Sequence, residues 1–598
     1  MNTQARWWLA IVGLMAIVVV EACKSGEGPT TPPPPSGGAT LSGTAAQGAP
    51  IANAAVTVED RNGATRTGTT GATGKYSVDV SGLTAPFLVR VTPSGGASLY
   101  SVAAAAGVAN VHPYSDLSIS LWYDVQGKTI ATAFASPGAN PAPGSAELPI
   151  LTGIVQVVLA KWLTDAGVPA SFDPLTSPFD ANGTGFDRVL VESTVNAGTG
   201  TVTIVDNPSN PTITQTTMFT VNVGTTSVTV TTTTSTGGSS SSSVVTVVVP
   251  SSSAVQTALA GATATLNALA AISNAKGAAL AATDVSSQFD AAYLNDGEDA
   301  TLGAARFAGD LRGVTINSVT IDRIVSYDDA AKIVTVGATA SVSQGGVTQM
   351  QPEGEPLAFR QQGAGSAWLL YGDQRPAAGG LQVEWRTDVG PGGTIGPRAN
   401  INVDLRAPMG VVGSVTLSGG AIFNNTPIVK SPIIEVVTYQ PTPTTTLQVQ
   451  RDVFLGGADV STFPPPGTVF TFTLTPVTGS PTTFTVTTAA TTTDPIVLTS
   501  PTGTTLADAN LGQPLVVTWS LPTTFPIAEV GFGGQVHTSP PNVSGFECNV
   551  QGQVNTSATG GTITFPATCN GQAAVEATIN VSADGLNGER THALHFFQ

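Results

Sequence analysis

TVTIVDNPSNPTITQTTMFTVNVGTTSVTVTTTT, residues 201–234, decides the fold class. Val202, Ile204, Phe219, Val221, Val228 and Val230 alternate with threonine and asparagine. A period of two sends successive side chains to opposite faces of a strand, and β-branched residues suit that pleated surface. Gly237 to Ser243 (GGSSSSS) then breaks the pattern, so residues 236–252 are expected to be a Ser-rich linker or a hairpin tip. The same texture fills the chain. Only 10% of its 598 residues are charged, against about 25% in an ordinary soluble domain. Glycine, proline, serine and threonine are abundant, as in chains built of short strands and turns. The length exceeds what one hydrophobic core supports. The expected fold class is mainly β and multidomain: several β-sandwich modules, with one α+β domain of helices followed by a curved sheet in the middle.

The N-terminus carries a second signal. Arg6 precedes an apolar run from Trp7 to Val20, closed by Val20-Glu21-Ala22-Cys23, and residues 23–38 read CKSGEGPTTPPPPSGG. This layout resembles a bacterial lipoprotein signal with its lipobox, although Glu21 departs from the small or apolar residue of that pattern. The resemblance implies a signal peptide at 1–22, cleavage before Cys23, lipidation of Cys23 and a Pro/Gly-rich tether at 23–39. It places the protein at the outer membrane or cell surface of a diderm bacterium, and Lys24 fits outward transfer. A retained membrane helix is the competing reading, since the run is only slightly shorter than the roughly 20 residues a bilayer needs. If Cys23 is acylated, Cys548 and Cys569 are left to pair as a disulfide in an oxidising compartment. A net charge of −17 repels phosphate backbones and anionic headgroups. No nucleic acid is expected as a partner; the membrane is reached through acyl chains, and other partners are a glycan or a surface protein.

Between tether and C-terminus five modules are expected. In 40–93, Val56-Thr57-Val58-Glu59 and Tyr76-Ser77-Val78-Asp79-Val80 alternate, with glycines at the turns. These residues resemble the carboxypeptidase regulatory-like domain, which implies a small prealbumin-like sandwich; Gly71 replaces the aspartate usual there. Residues 94–235 are a mixed region whose Leu148–Ala166 stretch spaces Ile154, Val157, Val158 and Trp162 as a buried helix. Residues 253–378 run helices before strands, and their ending resembles a nuclear transport factor 2-like cone. Residues 379–505 read as a β-sandwich. Residues 506–598 read as a β domain with a disulfide, in which Trp519 resembles the core tryptophan of immunoglobulin or fibronectin type III-like sheets.

Candidate sites are few. Asp180, Asn182, Thr184 and Asp187 offer oxygens around a glycine turn, a weak calcium loop because Val191 stands where a bidentate glutamate belongs. An Asn-Gly turn and helix cap is the alternative. Otherwise no cofactor is expected. His592 and His595 could join the cysteines in a zinc site only by facing the same way, which an odd spacing along a strand forbids. Nucleophile motifs are absent, so the chain is not expected to be an enzyme. The acids Asp284, Asp290, Asp296, Glu298 and Asp299 read as solvated helix ends. If the cone is formed, Phe289, Tyr293, Phe307, Phe359, Trp368 and Tyr371 wall a ligand pocket; otherwise they are plain core. Trp122, Tyr123, Trp368 and Trp385 could stack on sugars if exposed, although with few aromatics burial is favoured. The expectation is a non-catalytic surface lipoprotein for adhesion, scaffolding or carbohydrate and protein binding. The alternatives are a secreted polysaccharide or peptide hydrolase, or a small-ligand carrier.

Overall fold

The computed structural model describes residues 39–598, except 170–171, 345–346, 353–355, 364–366, 421, 539–546, 555–558, 570 and 586–587. The expected leader at 1–22, Cys23 and all but the last residue of the tether lie outside the described residues. The fold is mainly β, with helices gathered in the middle.

The first module is a two-layer sandwich. Lys75–Asp79, Thr40–Thr44 and Gly107–Val108 form one sheet; Thr65–Thr69, Ala55–Asp60, Phe87–Thr92 and Leu99–Ala103 form the other. The alternating Val56, Val58, Tyr76, Val78 and Val80 meet in its core, as their period requires. The module does not stop at 93. Leu99–Ala103 pairs with Phe87–Thr92, and Gly107–Val108 runs parallel to Thr40–Thr44. The Tyr76 hydroxyl donates to the Ala109 carbonyl, tying the later strand to the earlier hairpin.

Among the described residues seven α-helices come next: α1 (Pro113–Asp124), α2 (Ile130–Ala135), α3 (Leu148–Asp165), α4 (Phe186–Val191), α5 (Ser253–Lys276), α6 (Ala282–Val285) and α7 (Ala300–Leu311). A six-stranded sheet runs in the order Thr491–Thr492, Ser239–Val248, Ser227–Thr236, Ile213–Asn222, Thr201–Val205, Ser193–Asn196. Of the two readings of 236–252, linker or hairpin tip, the structure has the hairpin. Its tip is confined to Gly237 and Gly238, both at positive φ, and Ser239–Val248 pairs with Ser227–Thr236 over ten residues. The serine run supports a strand because each serine faces a threonine or serine across the pair.

The division between 94–235 and 253–378 also gives way, because one core joins them. Ile150, Ile154 and Trp162 of α3, Leu259 and Leu266 of α5, and Ile321 and Trp368 of the later strands belong to the same buried cluster. The reason is α3, which buries residues on most sides and so needs cover on both. Its Gly153 lies directly against the Asp322 carbonyl, leaving no room for a side chain. The second sheet of this body, built on Thr315–Asp328 and Ile333–Gln344, carries three register shifts that bend it.

The expected separate domains at 379–505 and 506–598 share one eleven-stranded sheet. Its order is Thr482–Thr487, Val469–Pro476, Val412–Gly419, Phe423–Thr442, Thr445–Val460, Gly393–Pro408, Ala378–Gly390, Arg590–Phe597, Glu576–Gly585, Ile527–His537, Glu547–Val554. The join is the parallel pairing of Trp385–Val389 with Thr591–His595. Each half keeps its own core. Ile401, Leu417, Phe454 and Phe472 fill one; Trp519, Phe532, Phe565 and Val581 fill the other. Trp519 is 2% exposed and stands 5.1 Å from Phe532, ring to ring. Cys548 and Cys569 are joined as a disulfide with Cα atoms 5.7 Å apart.

Candidate binding surface

The six-stranded sheet presents two unlike faces. Inward go Val202, Ile204, Phe219, Val228, Val230 and Val247. Gln215 joins them and fixes the sheet on α3: its Oε1 accepts from Trp162 Nε1 at 2.9 Å, and its Nε2 donates to the Val158 carbonyl at 2.7 Å. Beside it a small polar cavity of about 20 Å³ is lined by Lys161, Gln215, Thr232, Ser241 and Glu589. That is room for about one water.

Outward the pairing aligns hydroxyls. Thr194 stands opposite Thr203, Thr203 opposite Thr216, Thr216 opposite Thr233, and Thr233 opposite Ser242, a row crossing five strands. A parallel row holds Thr220, Thr229 and Thr246, and a third holds Asn196, Thr201, Met218, Thr231 and Val244. Strand geometry spaces neighbours by about 4.8 Å across the sheet and about 6.8 Å along it. Thr229 and Thr246 share a hydroxyl hydrogen bond of 3.0 Å. Thr194, Thr216, Thr233, Thr231, Thr220 and Thr246 are exposed, and Met218 is 54% exposed at the centre. None of the residues in these rows carries a charge. The alternation was visible in residues 201–234, but the rows were not, because they depend on register.

Of the six aromatics expected around a pocket, four are buried in the core, Phe307 is half-buried against it and Tyr371 is half-buried. Phe289, Tyr293, Phe359 and Trp368 are buried, and Phe289 lies 5.0 Å from Tyr293 and 6.4 Å from Phe307. Gly303 of α7 lets that backbone close on Tyr293 and Phe289, and Gly261 of α5 does the same against the Trp368 indole. The space a ligand would fill is taken by helix backbone. Of the six, only Trp368 borders the open recess of about 340 Å³ that it shares with Gly261, Ala264, Thr265, Gln288 and Ala367. Tyr371 lies beneath the Arg360 guanidinium, 4.3 Å from it. Trp122 and Tyr123 are buried in α1, and Trp385 tilts against Phe463, so these rings are not laid out for sugar stacking.

The proposed calcium loop is held by its own contacts. Asp180 pairs with Lys75 at 2.6 Å, Asn182 Oδ1 accepts from the Thr184 amide and hydroxyl, and Asp187 Oδ2 accepts from the Gly183 amide at 2.7 Å. Among the described residues no three of His, Cys, Asp or Glu gather into a possible metal group. His592 and His595 fall on opposite faces of their strand: His592 meets Asn580 at 2.7 Å, whereas His595 is buried on the Gly503 carbonyl.

The acids expected at solvated helix ends divide. Asp299 caps α7 and Asp284 caps α6, but Asp290, Asp296 and Glu298 are at most 1% exposed. Asp290 is retained in the interior by a two-pronged Arg360 contact of 2.8 and 2.6 Å, the arrangement that lets a carboxylate survive burial. Their partners Arg360 and Arg451 lie far along the sequence, which hid the pairing.

No family model matches this chain, and no curated protein does. Among solved structures, the tetra-tandem repeat in the extending region of a large adhesion protein aligns over 94% of this chain and 100% of its own, at 11% identity and a TM-score of 0.12. A likeness that low carries no argument.

Proposed function

We propose that this chain is a non-catalytic, exported surface protein, anchored through acyl chains on Cys23 at a diderm outer membrane, that serves in adhesion through its β faces. The observation carrying the proposal is the outer face of the six-stranded sheet. A chain of net charge −17 keeps three in-register rows there free of charge. A water-facing surface ordinarily mixes charges of both signs. Ranked hydroxyls with interspersed methyls suit a neutral, hydroxyl-rich polymer, and polysaccharide is the class of partner we favour. Broad contact through many weak hydrogen bonds fits adhesion better than turnover.

The test is co-sedimentation of the full chain with insoluble neutral polysaccharides, together with glycan-array binding. Wild type is expected to bind, and Thr216→Lys with Thr233→Lys to lose at least tenfold in affinity, since two strongly hydrated charges would be desolvated by a neutral partner. Equal binding by the variant, or no glycan retained by wild type, sinks the assignment. Labelling cells with a clickable palmitate tests the anchor separately. Label on wild type and none on Cys23→Ala is expected; unchanged attachment of Cys23→Ala would refute acylation.

A further inference from the structure

The eleven-stranded sheet ends on Thr482–Thr487, and among the described residues no strand pairs with its far side. The near side is complete: the strand runs antiparallel to Val469–Pro476 from Leu474↔Thr482 to Val469↔Thr487 without a register shift. It reads TTFTVT. Phe484 and Val486 are half-buried against the core, with Phe484 stacked on Phe472 at 5.0 Å, whereas Thr483, Thr485 and Thr487 are exposed. An open strand edge is a template for another strand, and proteins ordinarily protect such edges with charges, bulges or cover. Other edges of this chain have that protection. Thr315–Asp328 carries Asp322, Arg323 and three register shifts, Thr65–Thr69 carries Arg66, and Leu99–Ala103 lies under α1, whose Ser115 and Asp116 hydrogen-bond the Tyr100 backbone. Thr482–Thr487 carries neither charge nor bulge. From Val460 to Thr493 the chain has no Asp, Glu, Lys, Arg or His, in a protein of net charge −17. Arg375 stands 5.6 Å from the Phe484 ring centre, and its charge is offset by Asp373 at 3.6 Å.

We propose that this edge is a self-association site, at which Thr482–Thr487 pairs antiparallel with the same strand of a second copy about a two-fold axis through Thr485. The strand's own sequence selects a second copy as the occupant. A two-fold contact sets one surface against itself, so the strand must match its own reverse. Centred on Thr485, the pairing places Phe484 opposite Val486 and Thr483 opposite Thr487 on both sides of the axis. One face then continues the apolar core across the join, and the other stays hydroxyl. A slip of one residue would set Phe484 opposite a threonine instead. The aromatic and β-branched pairs add side-chain contact to the backbone hydrogen bonds. Charge points the same way. Two chains of the same sign repel, and they approach at least cost where neither presents a charge. Val469, 52% exposed beside Thr487 on the neighbouring strand, adds apolar surface at the rim.

Sedimentation velocity of the full chain tests this. Wild type is expected to pass from monomer to dimer across the micromolar range, and Thr485→Lys, which sets two ammonium groups face to face on the axis, to stay monomeric. Both proteins carry the same N-terminus, so association through it cannot separate them. Cysteines read the register. Opposed residues of an antiparallel pair stand about 4.5 to 5.5 Å apart at Cα, within the span of a disulfide. Mild oxidation should therefore join two copies of Thr485→Cys but not of Thr483→Cys, whose counterpart lies about 13 Å away along the strand. This arm holds even if the lysine variant does not fold. Wild type that stays monomeric would leave the edge to a strand of another protein and overturns the proposal. A Thr485→Lys dimer as tight as wild type, or a Thr483→Cys link formed as fast as the Thr485→Cys one, overturns it too.

Discussion

Gly261 shows how far a single residue can reach in this chain. In sequence it reads as a weak point of a helix, since glycine costs about 1 kcal/mol there relative to alanine. In the fold it is where α5 meets the face of Trp368, and a Cβ would fall inside the indole. Gly261→Ala should therefore destabilise by about 1 to 3 kcal/mol despite its better propensity, as overpacking does. Urea unfolding of the two proteins decides it; a stabilised variant would mean the ring has room to move. The calcium loop is judged at the same scale. Its side chains already hold Lys75, Thr184 and the Gly183 amide. Millimolar calcium is expected to leave the melting temperature unchanged, and a rise abolished by Asp187→Asn would decide for the metal reading. Sequence offers the loop's residue types but not their engagements, which leave Asp187 Oδ1 buried without a partner.

At the scale of elements, the parallel pairing of Ala378–Gly390 with Arg590–Phe597 is the feature most out of reach of sequence. The partners Trp385 and Thr591 are 206 residues apart. Alternation identified both strands, as it did most others, because it reflects local burial. Nothing local specifies which distant strand completes the ladder. At this join Glu384 lies buried among Arg590 at 3.6 Å, His592 at 3.4 Å and Arg386 at 3.9 Å. Burial alone would raise its carboxyl, but the His592 hydrogen bond and the nearby charges hold it below its ordinary value. Its contribution is thus present above that ordinary value and fades as the pH falls. Glu384→Gln should cost about 3 kcal/mol near neutrality by leaving cations uncompensated. The difference from wild type should shrink in acid, and a constant difference in thermal unfolding would contradict this.

The whole molecule is less modular than its composition suggests. Three seams tie the central body to the C-terminal strands: Thr491–Thr492 pairs with Ser241–Ser242, Glu298 meets Arg451, and Ser241 donates to the Thr524 carbonyl. The serine run left linker and hairpin tip both open because polar, small residues commonly make either; register with threonine makes it a strand of the hairpin. Limited proteolysis should accordingly leave 239–248 intact, and early cleavage there would restore the linker. Reducing Cys548–Cys569 should cost about 3 kcal/mol, the loop-closure value for its span, and be felt in the Trp519 core first. Unchanged tryptophan fluorescence through the reduced protein's transition would argue against that order.

The distance along the chain between the two strands of the parallel join has a consequence for biogenesis. A polypeptide emerging from the ribosome N-terminus first delivers Ala378–Gly390 long before its neighbour, 206 residues later, can arrive. Throughout that interval one strand edge stands open, able to recruit any passing β-segment. The interval before Arg590–Phe597 appears is therefore the step most exposed to aggregation, set by the order of synthesis rather than by the stability of the finished fold.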